Sequence, residues 1–195
     1  MPGKVCWFSS LYGKILLFKL KSYKVDDGQE SPKMIREAEP RDRDAIQRLY
    51  QALCPDAPVR VLPERVGEIR EDPNNFLFVD EVDGKIAGTV LLTIILSPIF
   101  GTQDFGLIEY FIVDQNYRRQ GIGRRLTEHV IAVCRARKCT RIILLSNDHR
   151  KGAHAFYERM GFDCSGKVGF VKYLNRDKAI ITANEHEWTR ISTGQ

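Results

Sequence analysis

A glycine-rich turn between an apolar run and a helix-like run restricts the fold of this chain more than any other feature. Residues 117–126 read Tyr-Arg-Arg-Gln-Gly-Ile-Gly-Arg-Arg-Leu. The preceding residues 107–113 are rich in strand formers. After the turn, apolar side chains recur at helical spacing, at Ile122, Leu126, Val130 and Val133. The sequence therefore predicts a strand that passes through a tight turn into a helix.

This turn is suited to binding an anion. The first backbone N–H groups of a helix have no partner within the helix, and they lie at the positive end of its dipole. Gly121 and Gly123 carry no Cβ atom, so a phosphate group can approach the main chain closely. Positive charge surrounds the turn, contributed by Arg118, Arg119, Arg124 and Arg125. We therefore expect a phosphate or diphosphate ligand at this turn.

The spacing of the turn differs from that of the common nucleotide loops. The sequence Gly-x-x-x-x-Gly-Lys-Ser/Thr is absent, which excludes a P-loop, and the third glycine of a dinucleotide fingerprint is missing. The pattern present is Arg-x-x-Gly-x-Gly, with Arg118 three residues before Gly121. This pattern resembles the acetyl-CoA diphosphate loop of the GCN5-related N-acetyltransferases, the GNAT family.

The residues after the turn extend the resemblance. Residues 141–147 read as a short apolar strand that ends in Ser-Asn, and residues 153–162 read as a helix with Phe-Tyr that Gly-Phe stops. We expect Gly161 to supply the left-handed residue that ends this helix. Upstream, Asp83-Gly84 predicts a tight hairpin turn between two strands. Together these features resemble the family over residues 34–174.

The resemblance implies an α/β (α+β) acyl-CoA N-acyltransferase fold, with a central mixed, mostly antiparallel sheet flanked by helices. We predict strands at 34–38, 75–82, 85–96, 106–114, 140–146 and 167–174. We predict helices at 42–53, with Asp42 as N-cap, at 60–71 as a helix or turn, at 121–137 and at 150–160.

Composition agrees with one soluble globular domain. The chain has 195 residues, of which 43% are hydrophobic and 28% are charged. The arginines of the turn account for much of the net charge of +5. The sequence contains no basic patch interleaved with aromatic residues, the pattern that would indicate binding to nucleic acid. The five cysteines and four histidines are scattered, so we expect no metal site and reduced thiols in a cytoplasmic protein. No uncharged apolar run is long enough to span a membrane.

The terminal segments lie outside the domain expected at 34–174. Residues 1–33 allow three interpretations: an added strand or helix, a basic amphipathic segment at a membrane surface, or a disposable extension before a natural start at Met34. We favour the extension. Residues 175–195 are polar and carry no motif, and we interpret them as a C-terminal tail or a short extra element.

The resemblance implies acetyl-CoA as co-substrate and no metal. Backbone groups of the strand before the turn would pair with the pantetheine arm, where a bulge would open the sheet. The implied cofactor-binding residues are Phe111, Ile112, Val113, Arg118, Arg119, Gln120, Gly121, Ile122, Gly123, Arg124 and Asn147. Asn147 has an alternative role, since Ser146, Asn147 or Asp148 could each cap the following helix.

Two residues are candidates for catalysis. The position of Tyr157, four residues before Gly161, matches the family's tyrosine, and a phenol can protonate a leaving thiolate. We expect Phe156 and Met160 to provide the core packing, which would leave Tyr157 facing the cofactor. Glu109 lies in an apolar strand, where partial burial would raise its pKa and suit a general base. Its alternatives are a solvent-facing residue or an anchor for an ammonium group.

The predicted function is an N-acetyltransferase that uses acetyl-CoA and the primary amine of a small molecule, in a ternary complex. The alternatives are acetylation of a protein N-terminus or lysine, and a non-catalytic acyl-CoA sensor. We expect the acceptor to be selected by residues 42–72 and 97–105. A homodimer is also an open expectation, because dimers are common in proteins of this kind.

Overall fold

The computed structural model describes residues 23–24, 34–99 and 101–174. Within these residues, six strands form one sheet in chain order, with antiparallel neighbours except for the parallel pair β5 and β6. The strands are β1 (Tyr23–Lys24), β2 (Met34–Glu37), β3 (Asn75–Val82), β4 (Lys85–Ile95), β5 (Phe105–Val113) and β6 (Ile142–Leu144). The mixed, mostly antiparallel sheet that the sequence predicts is confirmed.

In the described residues, four α-helices accompany the sheet: α1 (Arg43–Leu53), α2 (Pro63–Glu71), α3 (Ile122–Ala136) and α4 (Lys151–Arg159). The buried side chains of α1 and α2 form one core with β3, whereas the buried face of α3 forms a second core with β4 and β5. The sheet therefore has helices on both faces. The α3 core includes Ile122, Leu126 and Val130, which are at most 1% exposed, and the helical spacing read from the sequence is confirmed.

All the predicted elements except the last strand agree with the structure to within a few residues at each end. Asp83 and Gly84 have φ angles of 51° and 73°, so the β3–β4 turn is the left-handed hairpin turn that Asp-Gly indicates. The helix predicted from residue 60 begins at Pro63, because proline fits the first helical position without losing a hydrogen bond.

The prediction of a strand at 167–174 is wrong, since this segment has no regular structure. Its apolar side chains remain exposed, 78% for Val168 and 92% for Phe170. A strand is stabilised by burial of one face and by backbone pairing. The residues that the structure describes provide this segment with neither a surface to bury one face nor a strand to pair with.

The predicted cap of α1 is correct in position but not in chemistry. Asp42 is the N-cap residue, yet its side chain makes no cap hydrogen bond. Instead its carboxylate accepts two hydrogen bonds from Arg36, at 2.6 and 2.9 Å, and one from the backbone N–H of Glu39 at 2.7 Å. The carboxylate of Asp42 therefore forms an ion pair with Arg36, six residues upstream, instead of capping α1.

β1 pairs with β2 through Tyr23 opposite Ile35 and Lys24 opposite Met34. The remaining residues of the predicted extension 1–33, and the predicted tail 175–195, lie outside the described residues.

Candidate active site

β5 contains a bulge close to its carboxyl end. Thr89 of β4 pairs with Ile112, and Leu91 pairs with Glu109, so two residues of β5 lie opposite one residue of β4. Tyr110 has a φ of 50°, which is an unusual conformation for a non-glycine residue. The bulge implied by the family resemblance is therefore present. It begins at Tyr110, two residues beyond Ile108, the last residue that pairs β5 with β6.

The bulge coincides with a gap in the sheet. β5 pairs with β6 only at Gly106, Leu107 and Ile108. Beyond Ile108, residues 109–113 have no strand ladder on this side among the described residues. Backbone N–H and C=O groups on such an edge are free to hydrogen bond to the amides of a ligand.

A cleft of about 1220 Å³ opens at this gap, between β5, the glycine turn and α4. Most of the predicted cofactor residues line it together with the predicted acid Tyr157. These residues are Phe111, Ile112, Val113, Arg118, Arg119, Gly121, Ile122, Gly123 and Arg124. Three predicted site residues, Gln120, Asn147 and Glu109, are not part of the lining.

The glycine turn leads into α3 as predicted. Gly121 is the N-cap residue, with a φ of 81°, and no side chain caps this end of the helix. Gly123 allows close packing, because a Cβ atom there would lie 3.3 Å from the ring of Phe156. Both glycines line the cleft. The uncapped N–H groups of the first helical turn are therefore next to the space that a ligand would occupy.

The four arginines of the turn do not act as one cationic group. Arg118 and Arg119 are exposed on the cleft. Arg124 donates a hydrogen bond of 2.8 Å to Glu128, one helical turn away. Arg125 points inward, and its guanidinium donates hydrogen bonds of 3.1 and 3.0 Å to the fully buried carboxylate of Asp80. The expectation that Arg125 contributes charge to the anion site is therefore wrong.

The opposite wall of the cleft is also basic. Arg150, Lys151 and Arg159 line it from α4 and the turn before α4. The sequence leaves two roles open for Arg150 and Lys151, which could reach the 3′-phosphate end of the cofactor or be solvated, and it does not point to Arg159. The signal that could have identified Arg159 was the spacing along α4. The α4 residues that line the cleft share one helix face, and they include Gly152, Ala153, Phe156, Tyr157 and Met160.

Tyr157 is fixed by the end of α4. The N–H of Phe162 donates to the carbonyl of Tyr157 at 3.0 Å, and the N–H of Gly161 donates to the carbonyl of Glu158 at 2.9 Å. Gly161 has a φ of 85°, so the helix ends in a Schellman motif, as Gly-Phe predicts. The rings of Tyr157 and Phe162 are in contact, with centroids 5.7 Å apart.

The expectation that Phe156 and Met160 provide the core packing of α4 is wrong, although Tyr157 does line the cleft as expected. Tyr157 is the buried residue of the helix, 9% exposed, whereas Phe156 and Met160 are half-buried. All three side chains line the cleft. Tyr157 contacts Phe111 edge-on, with ring centroids 6.0 Å apart, because β5 and α4 meet at this point. Burial raises the pKa of Tyr157, and the positive charge of Arg150 opposes this shift.

Glu109, which pairs with Leu91, lies immediately before the bulge and is half-buried. Burial raises the pKa of its carboxyl group above the usual range, as its apolar sequence context predicts. The next residue, Tyr110, places its ring 5.4 Å from that of Tyr50 on α1. Glu109 therefore lies on β5 between Ile108, the last residue that pairs with β6, and Tyr110, whose ring contacts α1.

Asn147 does not cap α4. The N-cap residue is Arg150, and no side chain makes a cap hydrogen bond there, so the capping alternative for residues 146–148 is wrong. The carbonyl of Asn147 accepts from the N–H of Arg150 at 3.0 Å and lies 3.0 Å from Nε2 of His154. The main chain of Asn147 thus holds the turn that precedes α4.

In the described part of the chain, no group of three or more histidine, cysteine, aspartate or glutamate residues has the geometry of a metal site. Among the helices of that same part, none combines the length and the apolar character that crossing a membrane requires.

Known proteins share this architecture. A model of the acetyltransferase (GNAT) family matches residues 46–162. Glucosamine 6-phosphate N-acetyltransferase of Trypanosoma brucei brucei is 31% identical over 86 residues, which are 44% of this chain and 56% of that protein. N-alpha-acetyltransferase 30 of Schizosaccharomyces pombe is 36% identical over 75 residues, which are 38% of this chain and 49% of that protein. The chain thus aligns with about half the length of each of these two relatives.

The solved structures agree with the family model. The crystal structure of glucosamine-6-phosphate N-acetyltransferase from Arabidopsis thaliana has a TM-score of 0.64 and 26% identity, covering 74% of this chain and all of that one. The family match extends from α1 through the Gly-Phe stop of α4, and so includes both walls of the cleft. The chain therefore belongs to the acetyltransferase (GNAT) family, a family of acyltransferases.

Proposed function

We propose that the protein transfers the acetyl group of acetyl-CoA to the primary amine of a small molecule by direct attack in a ternary complex. One observation carries this proposal: the unpaired edge of β5, the uncapped start of α3 and Tyr157 meet in a single cleft. The similarity to glucosamine 6-phosphate N-acetyltransferases supports a small amine as the acceptor.

The residues of the cleft fit acetyl-CoA. The amides of residues 111–113 suit the pantetheine arm, and the N–H groups at the start of α3, with Arg118 and Arg119, suit the diphosphate. Arg150 and Lys151 suit a further phosphate on the opposite wall. When bound, acetyl-CoA supplies the thioester whose C–S bond is exchanged for a C–N bond to the acceptor.

Tyr157 is the proposed acid. Its phenol would donate a proton to the departing sulfur, and it would regain a proton from solvent through the open cleft. A phenol is already protonated at neutral pH, which is the state that a proton donor requires, and burial shifts the pKa of Tyr157 further in that direction. The contact with Phe111 fixes the ring against β5, so that little reorganisation is needed during transfer.

Glu109 is the proposed acceptor of the amine's proton, directly or through a water molecule. Its raised pKa brings a carboxylate closer to the basicity that this step needs. Because Glu109 lies outside the cleft lining, the same carboxylate could instead anchor a substrate ammonium group. The two roles differ in how kcat and KM respond to Glu109→Gln.

Thiol release from acetyl-CoA, measured over a panel of small amines and peptides, tests the proposal. We expect turnover with at least one small primary amine and little with peptides. Turnover restricted to peptide N-termini would favour the second reading, a protein acetyltransferase, which the relative from S. pombe suggests. Tight binding of acetyl-CoA without turnover on any amine would favour a sensor.

We also propose a cytoplasmic location and leave a homodimer as an expectation. Cys54, Cys134, Cys139 and Cys164 are free thiols in the structure, which supports a reducing compartment. Sedimentation of the purified chain, with and without CoA, would determine its oligomeric state.

A further inference from the structure

The ion pair between Asp80 of β3 and Arg125 of α3 is built like a structural anchor, but it is in an unexpected place. Asp80 is fully buried, and the side chain of Arg125 is 17% exposed. Arg125 lies in the first turn of α3, where the helix dipole disfavours a cation. Replacing a buried pair by apolar side chains is often neutral or stabilising. Stability alone therefore does not account for this pair.

The same guanidinium also contacts the turn that precedes α3. Its Nη1 donates a hydrogen bond of 3.3 Å to the carbonyl of Gln120. A Cβ atom on Gly121 would lie 3.7 Å from this Nη1, so the guanidinium lies against the turn at its tightest point. The backbone N–H of Arg125 makes the first helical hydrogen bond, to the carbonyl of Gly121 at 3.0 Å. Arg125 therefore contacts the turn through both its side chain and its main chain.

The far end of the pair is fully buried in the sheet. Asp80 lies at the centre of the sheet, opposite Gly88 of β4. A Cβ atom on Gly88 would lie 3.0 Å from Ile122, the first residue of α3, so the helix start is in close contact with the sheet here. The planar guanidinium of Arg125 thus joins a fully buried carboxylate to the carbonyl of Gln120.

We propose that Asp80 and Arg125 are positioning residues, which hold the Gln120–Gly121 turn in the shape that presents the N–H groups of α3 to a diphosphate. The inference rests on the proposed function, since it assumes that the diphosphate of acetyl-CoA binds at this turn. Arg125 does not touch the ligand in this account, and it acts through the main chain of the turn. Asp80 supplies the negative charge that makes an arginine tolerable at a helix start.

Two acyl donors separate this role from a purely structural one. S-acetyl-pantetheine carries the thioester but no diphosphate, whereas acetyl-CoA carries both. In Arg125→Lys and Asp80→Asn, we expect KM for acetyl-CoA to rise about tenfold or more, because a small misplacement of binding groups has large effects. We expect kcat at saturation, and kcat/KM for S-acetyl-pantetheine, to stay within about twofold of the wild type.

The ion pair of Arg36 with Asp42 provides a matched control. It is also largely buried, with side chains 14% and 6% exposed, but it joins β2 to the start of α1, remote in the chain from the glycine turn. Asp42→Asn should lower the melting temperature without changing KM for acetyl-CoA. If Asp80→Asn does not fold, two other variants take its place. One is Arg125→Lys, and the other is the double variant Asp80→Asn with Arg125→Gln, which removes both charges.

The outcomes are distinct. An equal rise in KM for both donors, or no rise in any folded variant, would overturn the inference. Calorimetry with CoA on the wild-type protein separates this result from failure of the proposed function. If the wild type binds no CoA, the proposed function itself is wrong. If the wild type binds CoA and the folded variants bind it equally well, only the positioning role is wrong.

Discussion

Phe162 donates its backbone N–H to the carbonyl of Tyr157 at 3.0 Å, and the two rings also touch, with centroids 5.7 Å apart. Gly161 makes this arrangement accessible, because its φ of 85° strains most other residues. The Gly-Phe stop therefore does more than end α4. It fixes the last turn of the helix, and with it the direction in which the phenol of Tyr157 meets β5.

Tyr157→Phe should lower kcat while leaving the affinity for CoA nearly unchanged. The ring and its contact with Phe111 remain in this variant, so only the proton donor is lost. General acid catalysis contributes a factor of about 10² to 10⁴ to the rate, and we expect a loss in that range. Thiol release gives kcat, and calorimetry with CoA gives the affinity. Tyr117→Phe is the matched control, since Tyr117 is another phenol that lines the cleft. Full turnover in Tyr157→Phe would exclude the acid role.

Glu109→Gln should change the pH dependence of the reaction. A base must be deprotonated, so the rate falls as pH drops through the pKa of the carboxyl group. Burial raises that pKa, and the acidic limb of kcat/KM should therefore lie above the ordinary range of a glutamate. In Glu109→Gln the limb should disappear and kcat should fall. Glu128→Gln, which changes an exposed carboxylate, should leave the limb in place. A higher KM for the amine with an unchanged limb would instead identify an anchor.

Charge reversal of Arg118 and Arg119 should weaken CoA binding strongly. Both side chains are exposed on the cleft, and a glutamate there would repel the diphosphate. The loss should diminish at high salt, because screening acts on exposed charges. Of the three charge reversals, Arg124→Glu should reduce the affinity for CoA least, since Arg124 already interacts with Glu128. Unaltered association in Arg118→Glu and Arg119→Glu, measured by calorimetry, would remove the turn from the binding site.

Local patterns explain why much of the fold was predictable. The helical spacing from Ile122 to Val133, the Asp83-Gly84 turn and the Gly161 stop each depend on residues close together in the chain. These patterns fix an element, or its end, almost regardless of context. The segment 167–174 has a similar apolar pattern, but its outcome depends on a pairing partner, which the sequence does not specify.

The candidate site was predictable only in part, for a related reason. The partner of Arg125 is Asp80, 45 residues away, and an arginine beside three others gives no sign that its charge is already neutralised. The bulge at Tyr110 depends on the register between two strands, so its sequence of Leu, Ile, Glu, Tyr and Phe shows nothing unusual. The burial of Tyr157 relative to Phe156 depends on the rotation of α4, which tertiary packing sets.

His129 should make the stability of the fold sensitive to mild acid. Its ring lies edge-on to Phe78 in the α3 core, with centroids 4.5 Å apart, and its Nε2 is buried without a hydrogen-bond partner among the described residues. Burial lowers the pKa of this histidine, so the folded protein keeps the ring neutral. An unfolded histidine has a pKa of about 6.5. The contribution to stability is therefore fully present above that pH, and it is lost as pH falls through the lower pKa of the folded state.

Urea unfolding between about pH 7 and pH 5 measures this effect, because the titration of an unfolded histidine falls in that interval. We expect the free energy of unfolding of the wild type to decrease as the pH is lowered. In His129→Phe this decrease should be smaller, whatever the stability of the variant at pH 7, since the titrating ring is gone. His149→Gln provides the control, because His149 is exposed and its loss should leave the slope unchanged. An unaltered slope in His129→Phe would show that other groups dominate the acid response.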